Sequence, residues 1–126
     1  MISADTSSLI EYLKGGNGPD IEMIDAALSN NNLIVSPVVV SELLSDPKLS
    51  NDTIKKITLL PQFEVDEGYW RKVGFIWAKL IAKKLKVRLA DTLIAQSCIE
   101  HDIPLITRDK DFRHFKKHCG LKLLEF

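Results

Sequence analysis

Cysteine is scarce in this chain, and its scarcity excludes a fold that disulfides hold together. Only Cys98 and Cys119 occur among 126 residues, whereas small secreted scaffolds carry several pairs of cysteines. A reducing compartment is therefore the expected environment, and we expect a cytoplasmic protein.

Long hydrophobic runs are missing as well. The most apolar window, VGFIWAKLIA, is interrupted by Lys79 and is far shorter than the roughly 20 residues that a membrane-spanning helix needs. Asp5 and Glu11 interrupt the N-terminal region before the apolar segment of a signal peptide develops. We expect no membrane segment and no leader, and the hydrophobic content of 45% fits a single globular domain over residues 1–126.

The chain also lacks net charge, because 17 basic residues balance 17 acidic ones. The distribution along the chain is uneven. Residues 1–63 carry four basic and eight acidic side chains, and residues 64–126 carry thirteen and nine. This asymmetry is typical of nucleic-acid-binding proteins and equally of an ordinary solvated surface, so both interpretations remain open.

Short apolar segments alternate with helical patterns along the chain. The predicted strands are Ile2–Asp5, Leu33–Val35, Phe63–Val65, Pro104–Thr107 and Leu121–Leu124. The predicted helices are Ser7–Leu13, Ile21–Ser29, Pro37–Leu44, Thr53–Leu60, Glu67–Leu85, Leu89–His101 and Phe112–Lys117. Ser8 and Glu11 fit a capping box for the first helix. The alternation favours a mostly parallel sheet that helices cover on both faces.

Four carboxylates stand out against this pattern. Asp5 ends the first predicted strand, and Asp109 follows the strand that ends at Thr107. Because parallel strands end at the same edge of a sheet, we expect these two acids to project from one edge. Asp91 lies in the first turn of its helix, and Glu42 lies among apolar neighbours where a carboxylate is expensive unless it is paired or bound to metal.

Each acid taken singly has a structural explanation. Asp5 and Asp109 fit helix caps, Asp91 gains from the helix dipole, and Glu42 can reach water. Four together exceed what capping requires. Clustered like charges raise one another's pKa, and a hard divalent cation relieves that repulsion. Such an ion can activate water against a phosphodiester. A metal-dependent phosphodiesterase fits, and so does a calcium or structural magnesium site.

With their surroundings, the acids resemble the signature of PIN-domain nucleases. They lie in ISADTSSLI, VVVSELL, LADTLIAQ and LITRDKDF, in the family's order and over essentially the whole chain. The most specific part is DTLIA followed by TRDKDF. In size the chain resembles the VapC-like toxins of type II toxin–antitoxin systems. Glycine often precedes the third motif in such toxins, whereas KLKVRLAD contains none.

This resemblance implies a three-layer α/β/α sandwich with a mostly parallel central sheet. It implies a metal-dependent endoribonuclease that cleaves single-stranded RNA with one or two Mg²⁺ or Mn²⁺ ions. Asp5 and Asp91 would be the core metal ligands. Asp109 would be a further ligand or an orienting residue, and Glu42 would bind a second ion or position water. Asp111 is an alternative to Asp109 for the fourth acid.

The resemblance also concerns supporting residues and partners. Ser7 and Thr107 occupy hydroxyl positions that commonly support the acids in this family. The implied partners are a single-stranded RNA substrate, a small antitoxin protein and a second copy of the chain. An alternative within the same fold is a catalytically inactive module that binds RNA or a protein partner.

Basic residues flank two of the acids. They are Lys79, Lys83, Lys84, Lys86 and Arg88 before Asp91, and Arg108, Lys110, Arg113, Lys116 and Lys117 around Asp109. Cations here suit a phosphate backbone that must reach metal, although a solvated helix surface explains them equally well. Trp70 and Trp77 share a helix face, which favours core or dimer packing over base stacking.

Other site types find little support. His114, His118 and Cys119 lie close in sequence, but no further zinc ligand is evident. A receiver-like phosphoacceptor needs adjacent acids after its first strand, whereas MISADTSS contains a single acid. No glycine-rich phosphate loop and no nucleophile elbow occur.

Overall fold

The computed structural model describes all residues from Met1 to Phe126. Strands β1 (Ser3–Ala4) and β2 (Leu105–Ile106) pair in parallel, with Ser3 opposite Leu105 and Ala4 opposite Ile106. The helices are α1 (Thr6–Leu13), α2 (Pro19–Ser29), α3 (Pro37–Leu44), α4 (Asn51–Thr58), α5 (Tyr69–Ala82), α6 (Leu89–His101) and α7 (Phe112–Cys119).

Single parallel bridges extend the sheet on both sides of the β1–β2 pair. They join Ile2 to Leu33, Val35 to Gln62, and Leu105 to Leu123. Each predicted strand thus corresponds to a place of parallel pairing, although three of the five are reduced to bridges. The pairing predicted from Phe63 onwards lies one residue earlier, at Gln62, and the Phe63 amide donates to the Val35 carbonyl at 2.9 Å.

The first helix begins differently from the prediction. Asp5 is its N-cap, and the backbone amide of Ser8 donates to the Asp5 carboxylate at 3.0 Å. The predicted capping box, in which Ser8 caps and Glu11 closes, is therefore wrong. Ser8 lies three residues after Asp5, and an N-cap side chain accepts a hydrogen bond from the backbone amide at that position.

The other predicted helices are all present, and some of them begin or end at residues other than those predicted. The bounds of α3 and α6 are as predicted, whereas α5 is shorter by two residues at its start and three at its end. Asn51 begins α4, because the Ser50 hydroxyl caps it by accepting from the Thr53 amide at 3.1 Å. Gly120, with φ of 80°, ends α7 in the left-handed conformation that favours glycine.

The helices contact one another in two groups, α1 to α4 and α5 to α7, and α3 also contacts α6. From β1 the sheet extends towards Leu33 on one side and towards β2 on the other. The connections up to Gln62 and those after it cross the sheet in opposite directions. Because connections between parallel strands are right-handed, the two helix groups are expected on opposite faces. The predicted α/β/α sandwich with a parallel sheet is confirmed. None of the helices combines the length and apolarity that crossing a membrane requires.

A buried hydroxyl network joins α5 to α6 and to the end of a sheet segment. The Tyr69 hydroxyl donates to the Leu93 carbonyl at 2.6 Å and lies 3.1 Å from the Ser97 hydroxyl. The Ser97 hydroxyl in turn lies 3.2 Å from the Ser36 hydroxyl. Nearby, Trp70 is 61% exposed, so it takes no part in core packing.

Candidate metal centre

Asp5 directly follows β1 and Thr107 directly follows β2, so the carboxyl ends of these paired strands bring the two residues together. The order of the strands in the sheet reverses at β1. The Thr107 hydroxyl donates to Asp5 Oδ2 at 2.7 Å and accepts from the Asp109 amide at 2.9 Å. One threonine therefore connects the acid after the first strand to the acid after the second. This edge is where parallel sheets place their sites.

Asp5 is buried and held by several donors. The Ser7 hydroxyl lies within 2.9 Å of both carboxylate oxygens, and the Ser8 amide donates to Oδ1. Burial raises the pKa of the Asp5 carboxyl, and hydrogen bonds from Thr107, Ser8 and Ser7 offset part of that rise. Asp5 therefore caps α1 and also presents a fixed carboxylate at the sheet edge.

Asp91 is the most electrostatically perturbed acid of the site. It lies in the first turn of α6 and is only 6% exposed. Its Oδ2 is buried without a hydrogen-bond partner. The guanidinium Nε of Arg88 lies 3.4 Å from that oxygen, at ion-pair distance but outside hydrogen-bond geometry. Such an unsatisfied buried acceptor is costly and rare.

The pKa of Asp91 is raised to about 6. Burial is the largest cause, because it disfavours the charged form. The charge of Arg88 opposes the rise, while the charges of Asp109 and Asp5 add to it. The carboxylates of Asp5, Asp91 and Asp109 therefore interact.

Asp91, Asp109 and Asp111 form a compact group. One carboxylate oxygen from each lies within 4.8 Å of the others. Asp109 Oδ1 accepts from the Asp111 amide at 2.9 Å, and Asp109 Oδ2 lies 3.3 Å from Arg88 Nη2. The structure thus brings both candidates for the fourth acid to the same place. Asp109 is half-buried and Asp111 is exposed.

Glu42 reaches this region from α3 but lies outside the compact group of aspartates. It is half-buried, and its Oε1 accepts from the Thr6 hydroxyl at 2.6 Å. The charges of Asp91, Asp109 and Glu42 all raise the pKa of Arg88, with Asp91 contributing most. No sequence pattern predicted a role for Thr6, although it directly follows Asp5.

Arg88 is the other residue whose role the sequence did not reveal. It is the N-cap residue of α6 and makes ion pairs with both Asp91 and Asp109, while its side chain is 73% exposed. In the sequence it was one of a row of basic residues. In the structure it partly neutralises the acids at their solvent side.

The donor set fits a hard divalent cation. The group contains only carboxylate oxygens, which Mg²⁺ and Mn²⁺ prefer. The buried Asp91 Oδ2 accepts no hydrogen bond, and its one cationic neighbour, the exposed guanidinium of Arg88, lies 3.4 Å away. No other group of three or more potential metal ligands is present. In particular, His114, His118 and Cys119 do not form one.

The family model described as "PIN domain" matches residues 2–118. A search of curated proteins finds no significant match.

Solved structures share the fold at low sequence identity. VapBC-5 from Mycobacterium tuberculosis, of the VapBC family of toxin–antitoxin systems, is 19% identical, with a TM-score of 0.70 over 99% of this chain and 98% of that one. VapBC2 from Rickettsia felis, bound to a promoter DNA fragment, is 23% identical, with a TM-score of 0.73 over 100% and 99%. VapBC-1 from nontypeable Haemophilus influenzae is 21% identical, with a TM-score of 0.75 over 99% and 98%.

Proposed function

This chain belongs to the PIN-domain family, whose members are generally nucleases, and from that premise we propose that it is a metal-dependent endoribonuclease that cleaves single-stranded RNA. The observation that carries the proposal is the buried Oδ2 of Asp91, which accepts no hydrogen bond and lies beside the carboxylates of Asp109 and Asp111. This arrangement is unfavourable without a cation and suitable for a divalent one.

Asp5, Glu42, Asp91 and Asp109 are the proposed catalytic residues and metal ligands, for one or two Mg²⁺ or Mn²⁺ ions. Asp111 lies close enough to join them. Held by these carboxylates, a divalent ion would supply the activation of water and the stabilisation of charge on the phosphodiester.

The protein's own side chains prepare this site before any ion or substrate arrives. Ser7 and Thr107 hold the Asp5 oxygens in place, and Thr107 also fixes the Asp109 backbone. The Thr6 hydroxyl orients Glu42. The guanidinium of Arg88 faces solvent beside the acids, where it can contact an RNA phosphate.

The test is incubation of purified protein with mixed single-stranded RNAs in EDTA, Mg²⁺ or Mn²⁺, beside the Asp5→Asn variant. We expect cleavage only with metal, products with 5′-phosphate ends, and no cleavage by the folded variant. Undiminished cutting by Asp5→Asn refutes the assignment. RNA binding without turnover in every metal condition supports the alternative, an inactive binding module.

We further propose that the chain is the toxin of a pair and that a small antitoxin binds an apolar cleft between α1, α2 and α4. The three solved structures described above are VapBC proteins, and one is described as a toxin–antitoxin family member. The cleft, of about 790 Å³, contains none of the four acids. Leu13 and Leu59 line it and are 37% and 76% exposed. Exposed apolar surface of this kind marks a protein interface.

Binding of a candidate antitoxin to wild type and to Leu59→Lys tests this partner assignment. We expect the substitution to abolish or strongly weaken the complex, because it places a charge on the apolar wall. A complex that survives Leu59→Lys unchanged contradicts the assignment of the cleft.

A homodimer is also proposed, through the solvent side of α5. Trp70, Phe75 and Ile81 are 61%, 67% and 56% exposed on this helix. Analytical ultracentrifugation should show a dimer that Trp70→Glu dissociates, and a wild-type monomer at all concentrations would contradict it. We place the protein in the cytoplasm, consistent with two free cysteines, and treat residues 1–126 as one domain because a single main core spans them.

A further inference from the structure

A second cleft, of about 380 Å³, lies directly beside the acids. Thr107 and Asp109 line both this cleft and the acid site. Its remaining walls come from Asp20 at the start of α2, from the connection between β2 and α7, from the start of α7 and from the C-terminal segment. A polymer whose phosphodiester lies at the acids therefore has a neighbouring space into which the next unit can extend.

The two acids that line this cleft besides Asp109 are already paired. Arg108 Nε donates to Asp20 Oδ2 at 2.6 Å, and Arg108 Nη2 donates to Asp20 Oδ1 at 2.9 Å. Glu125 Oε1 lies 3.3 Å from the Lys116 ammonium. These pairs leave little unbalanced negative charge in the walls, and the two-bond geometry of the Arg108 pair fixes that side of the cleft.

Two cations of the cleft have no such partner. Lys110 and Arg113 both line it and are exposed, and no carboxylate lies within ion-pair distance of either. Lys110 lies in the turn before α7 and Arg113 in the first turn of that helix, and the Arg113 amide donates to the Lys110 carbonyl at 3.1 Å. The two residues therefore flank one short stretch of surface. A free ammonium beside a free guanidinium suits the oxygens of a phosphate.

The C-terminal segment supplies an apolar wall near these cations. Leu123 and Leu124 are half-buried, and Phe126 is 59% exposed. An exposed aromatic ring beside unpaired cations is the combination on which single-stranded nucleic acids bind, since bases stack on rings while cations hold the backbone.

We propose that this cleft is a nucleotide-binding subsite for the RNA residue next to the scissile phosphodiester. Lys110 and Arg113 bind its phosphate, and Phe126 contacts its base. The subsite rests on the proposed function for its choice of RNA. It adds where the neighbouring nucleotide binds and which side chains favour single-stranded substrate.

The experiment measures binding separately from cleavage. A short fluorescent single-stranded RNA is titrated with full-length protein in EDTA, and anisotropy is recorded between about 50 and 200 mM salt. The test variant is Lys110→Gln/Arg113→Gln. Its matched control is Lys48→Gln/Lys55→Gln, which removes the same charge from exposed positions outside the cleft.

We expect the test variant to bind about tenfold or more weakly, because it loses two charge-assisted contacts. We also expect the slope of log affinity against log salt to shrink by about 0.7, because both cations bind one phosphate and each neutralised phosphate contributes roughly 0.7 for single strands. The control should retain wild-type affinity and slope. Equal losses in both double variants would mean general electrostatic attraction and would overturn the subsite.

The aromatic contact has its own test. Phe126→Leu should weaken binding about fivefold or more without changing the salt slope, because stacking is lost and no charge changes. Phe126→Tyr keeps the ring and should restore affinity. Unchanged affinity in Phe126→Leu would remove the base contact from the subsite.

These outcomes are distinguishable from the fate of the nuclease assignment. If wild type cleaves RNA with Mg²⁺ while Lys110→Gln/Arg113→Gln binds normally in EDTA, the nuclease stands and the subsite is wrong. If wild type never cleaves but the double variant loses RNA binding, the subsite stands on a non-cutting protein. Melting temperatures of all variants, expected within a few degrees of wild type, exclude unfolding as the cause.

Discussion

Neutralising Asp91 should stabilise the metal-free protein. In the folded chain its carboxylate is buried, has an oxygen without a hydrogen bond, and lies near Asp109 and Asp5. The Asp91→Asn variant keeps the shape of the side chain and removes its charge. It therefore isolates the electrostatic penalty that the proposed metal would relieve.

The magnitude follows from the shift in pKa from 3.8 to about 6. A shift of about 2 units at about 1.4 kcal/mol each corresponds to roughly 3 kcal/mol. Because the folded state holds the Asp91 proton more tightly than the unfolded state, this group's contribution to stability falls as pH rises from about 4 to about 6. Asparagine mimics the neutral form, so its advantage is near zero at pH 4 and reaches its full value above pH 7.

Thermal unfolding in EDTA at several pH values measures this effect. At pH 8 the variant should melt roughly 10 °C above wild type, since each kcal/mol shifts a domain of this size by about 4 °C. Asp52→Asn is the matched control, because that side chain is 80% exposed and should change stability by less than about 0.5 kcal/mol. A variant no more stable than wild type at pH 8, or equally stabilised at every pH, would refute the reasoning.

Three further substitutions test other parts of the account. Arg88→Gln should tighten Mg²⁺ binding about fivefold by calorimetry, because a cation at ion-pair distance from the acids no longer repels the metal; weaker binding would mean that the guanidinium supports the site. Thr107→Val should lower metal-dependent RNA cleavage about tenfold, because the bridge between Asp5 and the Asp109 amide is lost, and Thr107→Ser should restore it. Failure of serine to restore the rate would assign threonine a packing role. In urea unfolding, Tyr69→Phe should lower the free energy of unfolding by about 1–2 kcal/mol, because the buried Tyr69 hydroxyl donates to a carbonyl. Tyr12→Phe, which removes an exposed hydrogen bond, should lower it by less than about 0.5 kcal/mol. Equal losses would contradict the buried network.

Much of the fold was predictable because local rules apply over short distances. The helical spacing of apolar residues and the signals for helix ends predicted the first and last residues of α3 and α6 correctly. The rule that parallel strands end at one edge placed Asp5 and Asp109 together. Strand length was less predictable, since three segments pair through single bridges, and pairing depends on neighbours far away in the chain.

The site was predictable in its acids and not in its contacts. The capping box failed because Asp5 competes for the amide of Ser8, and sequence spacing alone does not rank the two caps. The ion pairs of Arg88 depend on the path of the chain before α6, which no local pattern specifies. The order of motifs thus predicts which acids matter, while the hydrogen bonds of Thr107 and Thr6 require coordinates.

The central claim is that one acidic site both binds the divalent ion and cuts RNA. The direct measurement titrates Mg²⁺ and records two quantities, the rate of cleavage of a single-stranded RNA and the melting temperature. Both are measured on the wild type and on Asp91→Asn. We predict that rate and stabilisation rise together in wild type and that neither rises in the variant. Cleavage that is complete in EDTA, or that persists undiminished in Asp91→Asn, would contradict the account.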